Sequence, residues 1–175
     1  MTMSSRLGRG VLSALFSVTA GTAAMHTAQA QTQGLRVGDK APTAIVQTLD
    51  GKPIDLAEFV GKAPTLIEFW ATWCPLCRQL EPKVRAIHDR YGTQLEIVHL
   101  VVPQNQTPER AEEYIKRRGL RGRFFFDAEG AAYKAFAAYH TSYIVVLDRH
   151  GTVVHSADGP DQDLDAAVAK AVRVR

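Results

Sequence analysis

Blocks of apolar residues alternate with segments of helical spacing from residue 45 to the end of the chain. The central block, residues 65–70, precedes helical spacing over residues 74–91, and residues 95–102 are nearly all apolar, as in a strand buried on both faces. Thr107 and Pro108 are typical of a helix cap and a first helical position. Shorter predicted elements are strands at 45–49, 124–126, 143–147 and 153–155, and helices at 129–139 and 164–172.

The order of these elements predicts an α/β fold with a central mixed β-sheet flanked by helices on both faces. Open sheets of this kind place their sites at the carboxyl ends of central strands. Cys74 and Cys77, the only two cysteines, follow directly after the apolar block at residues 65–70. The site is therefore expected at the end of that strand.

The first 30 residues have the pattern of a secretory signal peptide. Arg6 and Arg9 precede a mostly apolar stretch at residues 11–24, and residues 28–30, Ala-Gln-Ala, fit a cleavage site. Cleavage after Ala30 would leave residues 31–175 as one periplasmic domain. An uncleaved membrane anchor is the alternative, although the apolar stretch is short and is interrupted by Ser, Thr and Gly.

Composition and charge exclude several classes of function. The chain is 46% hydrophobic and 22% charged, which excludes a disordered protein. Arg6 and Arg9 supply part of the formal net charge of +3, so the domain after them is nearly neutral. We therefore expect that it binds neither nucleic acid nor an anionic membrane surface. We also expect a monomer.

The two cysteines form a Cys-x-x-Cys motif at the turn from a strand into a helix. Unpaired N–H groups at a helix start favour thiolate over thiol, which indicates Cys74 as the nucleophile. A structural zinc site is the alternative, but it needs a second Cys/His pair, and none stands at zinc-ligand spacing. A disulfide across this short loop would constrain the unfolded chain very little, so the pattern favours redox chemistry over a structural role.

Residues 67–77, Ile-Glu-Phe-Trp-Ala-Thr-Trp-Cys-Pro-Leu-Cys, resemble the signature of the thioredoxin superfamily. Segments 48–52, 59–62 and 146–153 are similar to its exported TlpA/ResA/CcmG branch. The resemblance implies a thioredoxin fold and a thiol-disulfide oxidoreductase without a required cofactor, in which Cys74 attacks a partner's disulfide and Cys77 resolves the mixed disulfide. It also implies cysteine-containing exported partners, such as cytochrome c or copper-site apoproteins, and a membrane electron donor.

Two positions, Glu68 and Ser142, bear on whether this chain shares the family's proton acceptor and its substrate loop. Glu68 stands where thioredoxins keep a buried acid, so it could accept the proton of Cys77; the alternative is a strand-end carboxylate that reaches solvent. Ser142 stands where the family has a cis-proline. A cis bond before a residue other than proline costs about 2.5–4 kcal/mol, so we expect a trans Thr141–Ser142 bond and a reshaped substrate loop.

His140 suggests a second possible function. Residues 140–148 resemble the Sco copper chaperones, which share the fold and lack the cis-proline. Two thiolates and an imidazole form a soft ligand set, so Cys74, Cys77 and His140 are a possible copper site. The alternative is a loop histidine without a ligand role. All three methionines precede residue 31, so the rest of the chain supplies no thioether.

Overall fold

The computed structural model describes residues 33–174. Short 3-10 turns at Leu56–Glu58 and Gly92–Gln94 lie between its longer elements. The strands are β1 (Ile45–Thr48), β2 (Pro53–Asp55), β3 (Thr65–Trp70), β4 (Glu96–Val101), β5 (Arg123–Phe126), β6 (Ile144–Leu147) and β7 (Val153–Ala157), and the helices are α1 (Pro75–Tyr91), α2 (Pro108–Arg118), α3 (Ala131–Ala135) and α4 (Leu164–Arg173).

The strands form one mixed sheet in the order β2-β1-β5-β4-β3-β6-β7. The three central strands β5, β4 and β3 are parallel to one another, and β6 pairs with β3 in the antiparallel direction. All six residues of β3 are buried. The mixed sheet predicted from the order of elements is therefore confirmed, with β3 near its centre.

Helices cover both faces of this sheet. Leu66 packs in a cluster with Leu80 of α1 and Val168 of α4, on one face. Phe69, whose side chain points to the opposite face because strand residues alternate, contacts Tyr133 of α3 with ring centroids 5.8 Å apart. The site-bearing strand is thus enclosed between two apolar layers.

Most element boundaries agree with the pattern of the sequence. The strand predicted at residues 65–70 is β3, and Thr107 caps α2 by accepting a hydrogen bond from the Arg110 N–H. The predicted helix at residues 129–139 is wrong in length, because α3 ends at Ala135. Ala137 adopts φ 48°, a left-handed conformation that ends the helix, and its carbonyl accepts a hydrogen bond from the Gly34 N–H.

The predicted signal peptide at residues 1–30 and the cleavage position after Ala30 lie outside the described residues. Within residues 33–174, every helix is too short or too polar to cross a membrane.

Candidate active site

The two cysteines lie where the carboxyl end of β3 leads into α1. Cys74 is the residue that caps α1, and its Sγ accepts a hydrogen bond from the Cys77 N–H at 3.0 Å. The two residues are joined by a disulfide, with their Cα atoms 5.3 Å apart. The position predicted for Cys74, with its sulfur over the free N–H groups of the helix, is confirmed. In this oxidised form both cysteines are only 1% exposed.

The turn before Cys74 is fixed by the segment that follows β4. The Thr72 N–H donates to Gln106 Oε1 at 2.9 Å, and Trp73 Nε1 donates to the Gln104 carbonyl at 2.7 Å. Trp73 is among the few large apolar side chains that the described chain exposes. This turn therefore presents an aromatic surface beside the disulfide while its backbone is held in place.

Glu68, the buried acid expected in β3, is paired with a histidine of the neighbouring strand. Its Oε2 lies 2.9 Å from His99 Nδ1, and the two side chains are 3% and 5% exposed. The His99 ring also stacks on Phe124, with centroids 4.3 Å apart. Glu68 is thus enclosed, and the alternative of a carboxylate that reaches solvent does not describe its position.

The hydrogen bonds of His99 restrict where protons can lie. Its Nε2 is 3.2 Å from the Arg121 carbonyl, which can only accept, so Nε2 carries a hydrogen. Nδ1 then either accepts from a protonated Glu68 or donates, as an imidazolium, to a carboxylate. In both arrangements one proton is shared between Glu68 and His99.

Glu68 lies beneath the part of α1 that follows Cys77. It lines a small cavity together with Glu81 and Val84 of α1. Cys77 and Glu81 are four residues apart and both buried, so they occupy the same face of α1, about 6 Å apart along the axis. The cavity at Glu68 therefore begins about one helical turn from Cys77.

Glu81, the other carboxylate near the motif, is bound by α2 instead. Arg118 donates to its Oε2 through Nη2 at 2.7 Å, and the Tyr114 hydroxyl donates to its Oε1 at 3.1 Å. Burial, followed by the Glu81 carboxylate, raises the pKa of Tyr114. Glu81 therefore joins α1 to α2.

The loop before β6 lies at the same end of the sheet as the cysteines, because β6 runs antiparallel to β3. The described residues contain no cis peptide bond, so the Thr141–Ser142 bond is trans, as expected. The Ser142 N–H donates to the Phe69 carbonyl at 2.7 Å, while the Phe69 N–H donates to the Tyr143 carbonyl at 2.9 Å. Two residues thus stand opposite Phe69, which defines a β-bulge.

Ser142 occupies the first position of this bulge, with φ 74°, where glycine is usual. Proline is excluded there because its ring fixes φ near −65° and removes the N–H that Ser142 donates. The serine is therefore part of a different loop conformation and not a simple replacement of a cis-proline. Thr141, next to it, makes no hydrogen bond with other residues of the described chain.

The structure does not bring His140 together with the cysteines as a metal site. The His140 side chain is 64% exposed, and its Nδ1 lies 2.9 Å from Asp158 Oδ2 in the loop after β7. Within residues 33–174, no three His, Cys, Asp or Glu side chains are grouped so as to bind a metal ion. The combination of Cys74, Cys77 and His140 as copper ligands is therefore not assembled here.

Two features of the site were not expected from the sequence. The first is that Glu68 is the partner of His99. Each is an ionisable residue inside a mostly apolar strand, and this shared property is the signal that could have paired them. The second is the bulge at Ser142, which depends on hydrogen bonds to β3 and has no local turn motif.

Comparison with known proteins agrees with this geometry. Residues 36–172 match the Redoxin family. The chain is 26% identical over 126 residues to thiol-disulfide oxidoreductase ResA of Bacillus thuringiensis subsp. konkukian, and the matched region covers 71% of each protein. It is 30% identical over 123 residues to the thioredoxin-like protein YneN of Bacillus subtilis, which covers 69% of this chain and 70% of YneN.

A solved structure shares the fold. The putative thiol:disulfide interchange protein DsbE of Chlorobium tepidum superimposes with a TM-score of 0.69 at 22% identity, over 79% of this chain and 99% of that one. The thioredoxin fold expected from residues 67–77 is thereby confirmed. Together with the disulfide at the start of α1, these matches support a thiol-disulfide oxidoreductase. The family match spans most of the chain, and the protein belongs to the Redoxin family.

Proposed function

We propose that this protein is an exported thiol-disulfide oxidoreductase that reduces disulfides of partner proteins through the Cys74–Cys77 couple. The observation that carries the proposal is the disulfide at the start of α1, in which Cys74 Sγ accepts a hydrogen bond from a helix N–H. The same N–H stabilises a thiolate at Cys74 after reduction. Export to the periplasm is supported by the signal-peptide pattern of residues 1–30.

The proposed reaction has two steps. The Cys74 thiolate attacks one sulfur of the partner's disulfide, so that a mixed disulfide forms and the other partner sulfur leaves as a thiolate. Cys77 then loses its proton and attacks Cys74 Sγ; the Cys74–Cys77 bond forms, and the second partner thiolate leaves. The partner gains two electrons, and a membrane electron donor must return two electrons to the resulting disulfide.

Glu68 accepts the proton of Cys77 in the second step. It lines the cavity beneath α1 that begins about one helical turn from Cys77, and one of its oxygens has no hydrogen-bond partner in the described chain. When His99 holds the proton that the pair shares, Glu68 is a carboxylate whose unpaired oxygen can receive the proton of Cys77, whereas both oxygens of Glu81 are already bonded to α2. Glu68 is therefore the base, and Glu81 provides a matched control.

The partner's chain binds at the loop before β6. Thr141 makes no hydrogen bond within the described chain, so its N–H and carbonyl can pair with an extended segment of the partner. Ser142 cannot do so, because its N–H is bonded to Phe69 and its carbonyl accepts from Gln162 at 3.3 Å. The exposed Trp73 ring supplies apolar contact on the cysteine side.

Turnover of a model protein disulfide, such as insulin, tests the function. We expect Cys74→Ser to abolish turnover and Cys77→Ser to accumulate a mixed disulfide on Cys74, detectable by mass. Cys74→Ser with full turnover would contradict the proposal. Fractionation of cells that express the whole chain or a version without residues 1–30 tests export, since only the former should reach the periplasm.

Single-turnover kinetics test the role of Glu68. A reduced protein mixed with a small aromatic disulfide releases one thiol on attack and a second on resolution. We expect Glu68→Gln to slow the second release by about 10²-fold, within the usual range for a general base, and to leave the first nearly unchanged. Glu81→Gln should slow neither step. Equal slowing of both steps by Glu68→Gln would give Glu68 a structural role only.

A further inference from the structure

The cavity beneath α1 adjoins two polar side chains that each have an unpaired atom. Among residues 33–174, Glu68 Oε1 and His88 Nδ1 are the only buried side-chain nitrogen or oxygen atoms without a hydrogen-bond partner. Both residues line the same cavity. Asp89 Oδ1 is 3.9 Å from His88 Nδ1, which is too far for a hydrogen bond.

The size and lining of this cavity fit one water molecule. Its volume is about 20 Å³, and a water needs roughly 10–15 Å³ of such space together with at least two polar partners. An unpaired buried polar group costs about 1–3 kcal/mol. A water bonded to both Glu68 Oε1 and His88 Nδ1 would remove that cost at two atoms at once.

His88 also connects the cavity to solvent. It lies in α1, and its side chain is 36% exposed, whereas Glu68 is 3% exposed. An imidazole can receive a proton at one ring nitrogen and release another at the second. We propose that the cavity holds a bound water joining Glu68 Oε1 to His88 Nδ1, and that His88 passes the proton of Glu68 to solvent.

This relay rests on the proposed function, because it carries away the proton that Glu68 takes from Cys77 while Cys77 attacks Cys74 Sγ, and resolution therefore depends on it. The Glu68 O–H bond breaks as the water accepts the proton, and the water gives one of its own protons to His88 Nδ1. His88 Nε2 then releases a proton to solvent. No electron moves in the relay, and Glu68 returns to the form that accepts the next proton.

The other polar side chains around the cavity cannot pass the proton to solvent, so this step is assigned to His88. Arg85 of α1 and Arg121 of the α2–β5 loop line the cavity, but a guanidinium only donates hydrogen bonds and offers no acceptor for the proton. Glu81 is bonded to Arg118 and Tyr114, and His99 is enclosed between Glu68 and the Arg121 carbonyl. Of the titratable groups around the cavity, His88 thus combines an unpaired nitrogen with contact to solvent.

The single-turnover experiment on the full-length chain tests the relay. We expect His88→Ala to slow release of the second thiol about tenfold, less than loss of the base itself, and to leave the first release unchanged. Imidazole in the buffer should restore the rate, because it can enter the space left by the ring. Asp89→Ala, at the next position of α1, is the matched control and should resolve at the wild-type rate.

The possible outcomes separate this inference from the proposed function. Slow resolution in Glu68→Gln with normal resolution in His88→Ala would overturn the relay and retain Glu68 as the base. A slow His88→Ala that imidazole does not restore would also overturn it, because a structural defect is not repaired by free imidazole. A high-resolution crystal structure should show a water within about 2.7–3.2 Å of both atoms, and an empty cavity would refute the site.

Discussion

Replacement of His99 by phenylalanine tests how strongly the buried pair depends on both partners. The new ring keeps the stacking on Phe124, so the loss is confined to hydrogen bonds and charge. Glu68 would remain 97% buried with neither oxygen paired, since Oε1 already has no partner in the described chain. Removal of one member of a buried pair costs about 3–5 kcal/mol, a large share of the roughly 5–15 kcal/mol that stabilises a typical domain.

Replacement of Glu68 should lower the free energy of unfolding by less than replacement of His99 does. Glu68→Leu leaves a histidine that can be neutral and still donates to the Arg121 carbonyl, so we expect about 1–3 kcal/mol. The double variant replaces both polar groups by apolar ones and should be more stable than His99→Phe alone. Urea unfolding of the oxidised protein, monitored by tryptophan fluorescence, gives the free energy of unfolding of the two single variants and of the double variant, provided that their m-values agree. If the loss of stability in the double variant equals the sum of the losses in the two single variants, the coupling between Glu68 and His99 is refuted.

Three further predictions follow from individual contacts. Ser142→Gly should change the free energy of unfolding by less than about 1 kcal/mol, whereas Ser142→Pro should cost about 3 kcal/mol or more; a stable proline variant in urea unfolding would contradict the bulge. The hydrogen bond from His140 lowers the pKa of Asp158, so this carboxylate stabilises the fold above its ordinary pKa of 3.8 and loses that effect as the pH falls through its lower folded value. Asp158→Asn should therefore cost up to about 1 kcal/mol near neutral pH and nothing in strong acid, and a constant cost across pH would be inconsistent with this. In single-cysteine variants, thiolate absorbance should appear at lower pH for Cys74 than for Cys77, and the reverse order would exchange their roles.

The elements that could be predicted from the sequence are those whose causes are local. The six buried residues of β3 form a mostly apolar block, and Thr107 with Pro108 carries the start signal of α2 within two positions. The placement of Cys74 follows in the same way, since a strand end and a helix start meet at the motif. In each of these cases a short stretch of chain determines the conformation.

The features that could not be predicted depend on contacts between distant segments. His99 is 31 residues from Glu68, and only the parallel register of β3 and β4 places them opposite each other. The left-handed Ser142 is stabilised by Phe69 and Gln162, which lie far from it in the chain. The alanine-rich segment around α3 has high helix propensity, but a hydrogen bond to Gly34 accompanies its early end. Tertiary contacts override local preference at all three places.

The hydrogen bond from the Cys77 N–H to Cys74 Sγ also bears on the electrochemistry of the couple. This hydrogen bond is present in the disulfide, and a hydrogen bond to a charged acceptor contributes about 1 kcal/mol more than one to a neutral acceptor. Because the thiolate exists only in the reduced protein, the cap favours reduction of the disulfide. About 1.4 kcal/mol corresponds to about 30 mV for a two-electron couple, so this single N–H raises the reduction potential by roughly 20 mV. Cys74, which caps α1, therefore also helps to set the reduction potential at which the protein exchanges electrons with its partners.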